Sequence, residues 1–199
     1  MRKSAEHHWL PHSDFRIPTS SPPNSATLAN VSAAVSLVRA YRTHGHRAAQ
    51  LDPLGSPPQG DPALDPGPLG LTPEVMARIP SDILRVYVPG ATLADAVPKL
   101  RETYCGTLAY EIEHISNHDE RVWLRRVIES GEHRTPLTPD EQRRLLEALT
   151  KADVLERFLH RAYLGHKRFG IEGMDTLIPM LEAAIDLGGR LGVRDVVMG

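Results

Sequence analysis

Two histidines and two arginines lie close together in the stretch "YRTHGHRAAQLDPLG", in which His44 and His46 flank Gly45 just before an Asp-Pro turn. Imidazole nitrogens bind zinc, but two histidines at this spacing supply too few ligands. Cations are also favoured at a helix C-terminus by the helix dipole, and glycine commonly follows a helix. We interpret the stretch as a helix end that orders the following loop. A metal site that adds His114 or His118 is the alternative.

A second charged cluster lies in "GHKRFGIEG", which places His166, Lys167, Arg168 and Glu172 next to glycines and just before a predicted helix. Backbone N–H groups at a helix N-terminus favour anions, so this layout could receive one. An Arg-Glu pair that fixes a loop against its domain is the more common outcome. We therefore favour the ion pair, and Arg168 and Glu172 are weak candidates for contact with an active site.

Cys105 is the single cysteine, so the chain cannot form an internal disulfide or a cysteine-based zinc site. A reducing, intracellular compartment fits this usage. The sequence places no basic partner beside the thiol, which favours a small buried residue over a nucleophile. Tyr104 and Trp123 lie on apolar helical faces and are predicted to belong to the core.

The composition excludes some classes of partner. The chain has 199 residues and a net charge of -2, which gives no field that attracts nucleic acid or an anionic membrane. No apolar run approaches the about 18 residues that span a bilayer, and the N-terminus lacks the apolar centre of a signal peptide. We expect neither export nor membrane insertion. Residues 1–24 are rich in proline and serine and are predicted to be a disordered tail.

The apolar spacing then predicts the elements that position these residues. A helix from Ala26 to about His46 is followed by a Pro/Gly-rich connection at 51–73. Thr72 with a following proline opens a short helix, and Thr92 caps "LADAVPKLRETY". The segments "ILRVYV" and "TLAYEIEHI" are β-branched or alternating enough to predict strands.

Later helices are predicted from their start signals. Asn117 precedes one helix, and Thr138 in "TPDE" opens a pair of helices broken near Thr150 and again at Gly165. A final helix, "GMDTLIPMLEAAIDLGGRLG", leads into "VRDVVMG", an apolar strand of the kind that parallel α/β sheets contain. Because such a strand needs neighbours, the sequence resembles one cut off at the entrance to an α/β domain.

The predicted fold is therefore mainly α with a few short strands. A helical N-terminal domain is predicted over 25–165. Residues 166–199 are predicted to be the start of a truncated α/β domain.

Five separated motifs resemble, in order and spacing, the decarboxylating first component of the 2-oxoglutarate dehydrogenase complex: "AYRTHGHRAAQLDPLG", "LRETYCGTLAYEIEHI", "ERVWLRRVIESG", "LTKADVLERFLHRAYLGHKRFGIEGMDTLIPML" and "GVRDVVMG". The resemblance covers Val31 to Gly199 and the N-terminal portion of that family. It implies that residues 166–199 begin a thiamine diphosphate-binding fold. It also implies an oxidoreductase of the citric acid cycle that depends on thiamine diphosphate and magnesium. Such an enzyme decarboxylates 2-oxoglutarate, or its homologue 2-oxoadipate, and passes the acyl group to a lipoyl arm.

The resemblance also implies a homodimer, a lipoyl-bearing second component as partner, and a bacterial cytoplasmic location, or the mitochondrial matrix in a eukaryote. In the family, "VVMG" is followed by a histidine- and arginine-rich motif and later by a Gly-Asp-Gly metal motif. Here the one Gly-Asp pair, Gly60-Asp61, is followed by Pro62. The sequence thus assigns no catalytic, cofactor-binding or metal residue, and the chain alone is predicted to be inactive.

Two departures from the family are visible. The first thirty residues differ from its usual N-terminal segment, and Gly170 stands where the family has a serine.

Two rival functions stay open. One is a noncatalytic, truncated paralogue that serves as an interaction module in the complex. The other is a small metal-binding protein that uses four histidines, namely His44, His46, His114 and His118.

Overall fold

The computed structural model describes residues 25–199, and this part of the chain is mainly helical, as predicted. The predicted disorder of residues 1–24 lies outside it. Within the described part the α-helices are α1 (Ser25–His44), α2 (Pro73–Met76), α3 (Leu93–Tyr104), α4 (His118–Ser130), α5 (Pro139–Ala162) and α6 (Leu177–Arg190). Short 3₁₀ turns cover Gly45–Ala48, Pro62–Leu64, Gly67–Leu69, Asp82–Leu84 and Glu132–Arg134.

The described chain divides into two compact units, of which the first ends at His133 and the second is Arg134–Gly199. The domains predicted from the sequence, 25–165 and 166–199, place their boundary elsewhere and stay a prediction. Helices α5 and α6 both lie in the second unit.

The predicted start signals of two helices are confirmed. Asn117 Oδ1 accepts hydrogen bonds from the backbone N–H of Asp119 and Glu120 at the start of α4. The Thr138 hydroxyl accepts from the backbone N–H of Glu141, whose carboxylate accepts in return from Thr138 N at 2.7 Å. These bonds satisfy N–H groups that have no partner inside a helix.

The core of the first unit lies between α1 and α3. The largest fully buried side chains there are Leu37 and Tyr41 on α1 and Leu93, Leu100 and Tyr104 on α3. On both helices the buried positions recur at intervals of three and four residues, so each helix turns one apolar face to the other.

The Pro/Gly-rich connection at 51–73 is packed onto this core. Its Leu64 and Leu71 are buried, and the Tyr41 hydroxyl donates to the carbonyl oxygen of Leu64 at 3.3 Å. The backbone N–H of Gly60 also donates to the carbonyl oxygen of Arg47 at 2.9 Å. A segment that is irregular apart from short 3₁₀ turns is therefore held by a few long-range contacts.

The three predicted strands are wrong. The segments at 83–88, 107–115 and 193–199 contain no β-strand, and the bridge between Pro80 and Thr92 is isolated. A strand needs a ladder of hydrogen bonds to a neighbour, and the described residues offer these segments none. In the first segment Arg85 adopts a left-handed φ of 51°, which interrupts the extended backbone.

Two local predictions on helices are also wrong. No break occurs near Thr150, because α5 runs through it and the Thr150 hydroxyl donates to the carbonyl oxygen of Leu146 at 2.7 Å. Trp123 is 53% exposed and does not belong to the core, since α4 buries Ile128 and Glu129 instead. Tyr104 is fully buried, as predicted.

The second unit, taken by itself, has almost no buried core. Of residues 134–199 only Pro179 is buried, although α5 and α6 carry many apolar side chains. Large exposed examples are Leu146, Phe158, Phe169, Met180, Leu191 and Val197.

We predict that Gly45→Ala lowers the free energy of unfolding by about 1–3 kcal/mol. The added methyl group would lie 2.6 Å from Tyr104 Cβ and 3.0 Å from the Tyr104 carbonyl oxygen, so the 3₁₀ turn that follows α1 would have to move away from the end of α3. Urea unfolding followed by circular dichroism measures the change.

The matched control is Gly189→Ala in α6, where no heavy atom lies within 4 Å of the added methyl group. This control should raise stability slightly or leave it unchanged, because alanine favours helix interiors over glycine. Equal stability of both variants would contradict the close approach at Gly45.

Candidate functional site

A buried carboxylate joins three helices of the first unit. Glu129 on α4 is 3% exposed. Its Oε1 lies 2.7 Å from Nε of Arg42 on α1 and 2.9 Å from the hydroxyl of Tyr104 on α3. Its Oε2 accepts from Arg42 Nη2 and from the backbone N–H of Tyr87, both at 2.9 Å. Both oxygens of the buried charge are therefore satisfied.

The electrostatics of this network hold its protons in place. Burial lowers the pKa of Arg42, but the hydrogen bonds and charge of Glu129 outweigh burial, so the net pKa of Arg42 is raised. Burial, and then the neighbouring negative charge of Glu129, raise the pKa of Tyr104 far above its ordinary value. Tyr104 thus stays a hydroxyl donor and cannot act as a base near neutral pH. We interpret the network as structural.

Arg42 also lines an open cleft of about 410 Å³. Arg39 on α1 and Arg121 and Arg125 on α4 line the same cleft, together with Glu113. Its apolar lining comes from Val35, Val38 and Leu84. We call this feature the arginine cleft.

Glu113 holds one wall of the arginine cleft in place. Its carboxylate makes a bidentate ion pair with Arg125, in which Arg125 Nε lies 2.8 Å from Glu113 Oε1. Burial raises the pKa of Glu113, but the hydrogen bonds and charge of Arg125, with the charges of Arg42 and Arg121, lower it more, so the net pKa falls below the ordinary value. Glu113 is therefore ionised at neutral pH.

The arginine cleft was not predicted from the sequence. The sequence does show that Arg39 and Arg42 share one helix face, and that Arg121 and Arg125 share another, because the two members of each pair are three or four residues apart. That the two faces meet depends on how α1 and α4 pack, which no local pattern reveals.

The histidine stretch at 41–55 has the structural role that was predicted for it. Arg47 Nη1 lies 2.7 Å from Asp61 Oδ2, and His44 Nδ1 lies 4.0 Å from the same oxygen. The backbone N–H of Ala63 donates to Asp61 Oδ1 at 2.9 Å. This backbone donor, and then Arg47 and His44, lower the pKa of Asp61. The end of α1 is thus tied to the connection that follows.

The four histidines proposed as metal ligands are not brought together. Among residues 25–199, no group of three or more histidine, cysteine, aspartate or glutamate side chains could hold a metal ion. Nor does any helix in that range have the length and apolar character needed to cross a membrane.

The second predicted site, "GHKRFGIEG", contains the ion pair that was its favoured interpretation. Arg168 Nη2 lies 3.8 Å from Glu172 Oε1, and Arg168 Nη1 lies 4.0 Å from Oε1 of Glu156 on α5. Glu156 also accepts a hydrogen bond from the backbone N–H of Ile171 at 2.8 Å. No sequence pattern singled out Glu156. Its role here is to attach the loop to α5, and contact of Arg168 or Glu172 with an active site stays a prediction.

An apolar groove of about 360 Å³ adjoins this loop within the second unit. Its lining includes Leu155, Leu159, Phe169, Ile171 and Ile178, with Arg168 among the polar residues. The groove is open and apolar, which suits packing against further protein better than it suits catalysis.

Cys105 is buried, as predicted, and burial raises the pKa of its thiol despite the nearby positive charge of Arg101. A thiol with a raised pKa holds little thiolate at neutral pH. Cys105 is therefore a packing residue of the first unit.

Comparison with known proteins supports the resemblance found in the sequence. The chain matches no protein-family model. It is 35% identical over 181 residues to the 2-oxoglutarate dehydrogenase E1 component of Bacillus cereus strain AH187. It is 34% identical, also over 181 residues, to the protein of the same name from Bacillus anthracis strain A0248.

Each match covers 90% of this chain and 19% of the relative. The chain thus spans about a fifth of the length of the curated relatives that it matches. The predicted resemblance to the first component of the complex is confirmed, and the coverage agrees with a correspondence to one portion of that protein.

We predict that Glu129→Gln lowers the free energy of unfolding by about 3–5 kcal/mol, the usual effect of removing one partner from a buried ion pair. All the groups around the carboxylate are donors, so the new amide N–H would face other donors, and Arg42 would lose its counter-charge. The control is Glu102→Gln, which removes the exposed ion pair with Lys99 and should cost less than about 1 kcal/mol. Urea unfolding should separate the variants, and equal losses would contradict the network.

A pH dependence follows from Glu113. Because its pKa is lower in the folded chain than in the unfolded chain, Glu113 stabilises the fold above the unfolded pKa. This contribution should be lost as the pH falls from about 5 through the folded pKa. At neutral pH the Glu113→Gln variant should therefore be less stable than the parent chain. On acidification its free energy of unfolding should fall by less than that of the parent. Urea unfolding across this pH range tests it, and parallel pH profiles would refute it.

Proposed function

We propose that this chain is the N-terminal part of the first component of a 2-oxoglutarate dehydrogenase complex. The observation that carries the proposal is the 35% identity that extends over 90% of the chain. A match of this length includes the arginine cleft, the buried ion pair and the loop at 165–173.

The reaction of the complete protein belongs to this proposal. The first component of such a complex decarboxylates 2-oxoglutarate, or its homologue 2-oxoadipate, and transfers the acyl group to the lipoyl arm of a second component. Thiamine diphosphate supplies the electron sink for the decarboxylation. We place the protein, by the same relation, in the citric acid cycle of a bacterial cytoplasm, as a homodimer.

We propose no site for thiamine diphosphate with magnesium among the described residues. Magnesium needs a near-octahedral set of oxygen ligands. No group of three or more acidic, histidine or cysteine side chains in residues 25–199 is placed to hold a metal ion. Asp61, in the one Gly-Asp pair, is bound by Arg47 and by the backbone of Ala63. We therefore assign this chain no step on the cofactor and propose that the isolated chain is inactive.

The proposed role of the chain is to support the catalytic part of a longer protein. The first unit has its own core, whereas the second unit leaves the apolar faces of α5 and α6 exposed. Exposed apolar surface of this extent marks sites that contact other protein. It supports the proposal that residues 166–199 correspond to the start of the thiamine diphosphate-binding domain.

A chimera tests the proposal. This chain replaces the matched segment in the Bacillus cereus E1 component, and 2-oxoglutarate decarboxylation is measured with an artificial electron acceptor. We expect the chimera to be active and the 199-residue chain alone to be inactive. The control is the Bacillus protein with the matched segment deleted, which should be inactive because its catalytic part lacks this support. An inactive but folded chimera, or activity of the isolated chain, would refute the proposal.

The chimera also tests the loop. Arg168→Ala should raise the KM for 2-oxoglutarate or weaken thiamine diphosphate binding if the loop reaches the active site. Arg161→Ala, an exposed arginine at the end of α5, is the matched control. If Arg168→Ala lowers only the stability and leaves the affinities for 2-oxoglutarate and thiamine diphosphate unchanged, the arginine only attaches the loop to α5.

A further inference from the structure

We propose that the arginine cleft binds a small dianion, of the phosphate monoester or dicarboxylate class. This inference goes beyond the proposed function, because it concerns a cleft in the first unit to which the proposed function assigns no ligand. It rests on the charge, the available hydrogen-bond donors and the shape of the cleft.

The charge of the cleft is unbalanced. Four arginines line it, and the carboxylates that pair with them are Glu113, which pairs with Arg125, and Glu129, which pairs with Arg42. Two positive charges, on Arg39 and Arg121, are left without a paired carboxylate among the described residues. A ligand with two negative charges would balance them.

Free donors accompany this charge. Arg39 is exposed, and within residues 25–199 it makes no hydrogen bond or ion pair. Arg121 uses Nη1 to donate to the carbonyl oxygen of Ile115, which fixes its direction and leaves other N–H groups available. The planar guanidinium group matches carboxylate and phosphate oxygens in a bidentate geometry.

The other two arginines are held in place by their own carboxylates. Arg42 is fixed by Glu129 and by the carbonyl oxygen of Arg85 at 2.9 Å, and Arg125 is fixed by Glu113. A ligand would therefore meet two positioned cations and two with spare donors, which reduces the ordering that binding must impose.

The shape of the cleft limits the size of the ligand. A volume of about 410 Å³ is near the lower end of the range for small-molecule sites. Val38 and Leu84 are buried and form an apolar lining beside the charges. Apolar walls weaken the screening by water and strengthen the attraction between an anion and the arginines.

The spacing of the arginines disfavours an empty cleft. Arg39 and Arg42 are three residues apart on α1, and Arg121 and Arg125 are four apart on α4, but only Arg42 and Arg125 have a paired carboxylate. A bound anion would offset the two remaining charges and add a link between two helices that the Arg42–Glu129 pair already joins. Binding should therefore raise the unfolding temperature.

Calorimetric titration of the 199-residue chain at low ionic strength tests the proposal, with sodium phosphate and sodium succinate as probes and sodium chloride at matched ionic strength as the reference. We expect saturable binding of phosphate or succinate that chloride does not reproduce. Arg39→Gln should weaken this binding about tenfold, as expected for loss of a charge-assisted hydrogen bond. Because Arg39 has no partner in the described fold, the variant should keep its circular dichroism spectrum.

The matched control is Arg126→Gln, which removes an arginine on α4 that does not line the cleft and should bind like the parent chain. Binding of phosphate alone would assign the site to phosphate esters, and binding of succinate alone would assign it to dicarboxylates. Equal weakening by both substitutions, or no saturable binding of either probe, would overturn the proposal. Binding of poly-glutamate without either small anion would also overturn it and would point to an acidic protein segment.

Discussion

The fold of the first unit depends on the ion pair between Glu129 and Arg42. Taking two charges out of water costs several kcal/mol for each ion, and the pair recovers this cost only when its geometry is good and every oxygen is hydrogen-bonded. Here Tyr104 and the backbone of Tyr87 supply the remaining donors. Because these donors come from α3 and from the segment before it, the network links α1, α3 and α4 through one carboxylate.

The same pair positions the surface where binding is proposed. Arg42 points one side of its guanidinium group at Glu129 and also lines the arginine cleft. A residue fixed for stability therefore forms part of a site with unpaired cations. The interaction of Arg47 with Asp61 has a similar role at the end of α1, where it holds an irregular connection against the core. Arg42 also donates to the carbonyl oxygen of Arg85, so both arginines hold a segment that has little regular structure.

The two units differ in how they could be stabilised. The first buries a cluster of leucines, valines and tyrosines. In the second, α5 and α6 expose their apolar faces, and ion pairs such as Lys151 with Glu147 lie on the surface and contribute little. Burial of apolar surface supplies most of the favourable free energy of folding, and the second unit obtains little of it from its own residues.

The sequence by itself determined the family resemblance and the features that depend on near neighbours along the chain. The caps at Asn117 and Thr138 were predicted because a side chain and the N–H groups that it bonds are only two or three residues apart. The strand at "ILRVYV" and the core position of Trp123 were predicted wrongly. A strand depends on a neighbouring strand, and burial depends on the residues that pack against the side chain. The ion pair of Glu129 with Arg42 joins residues 87 positions apart, and the arginine cleft forms only where α1 faces α4. Such contacts were decided by the tertiary structure alone, since a local pattern shows which side chains share a helix face and not which face it meets.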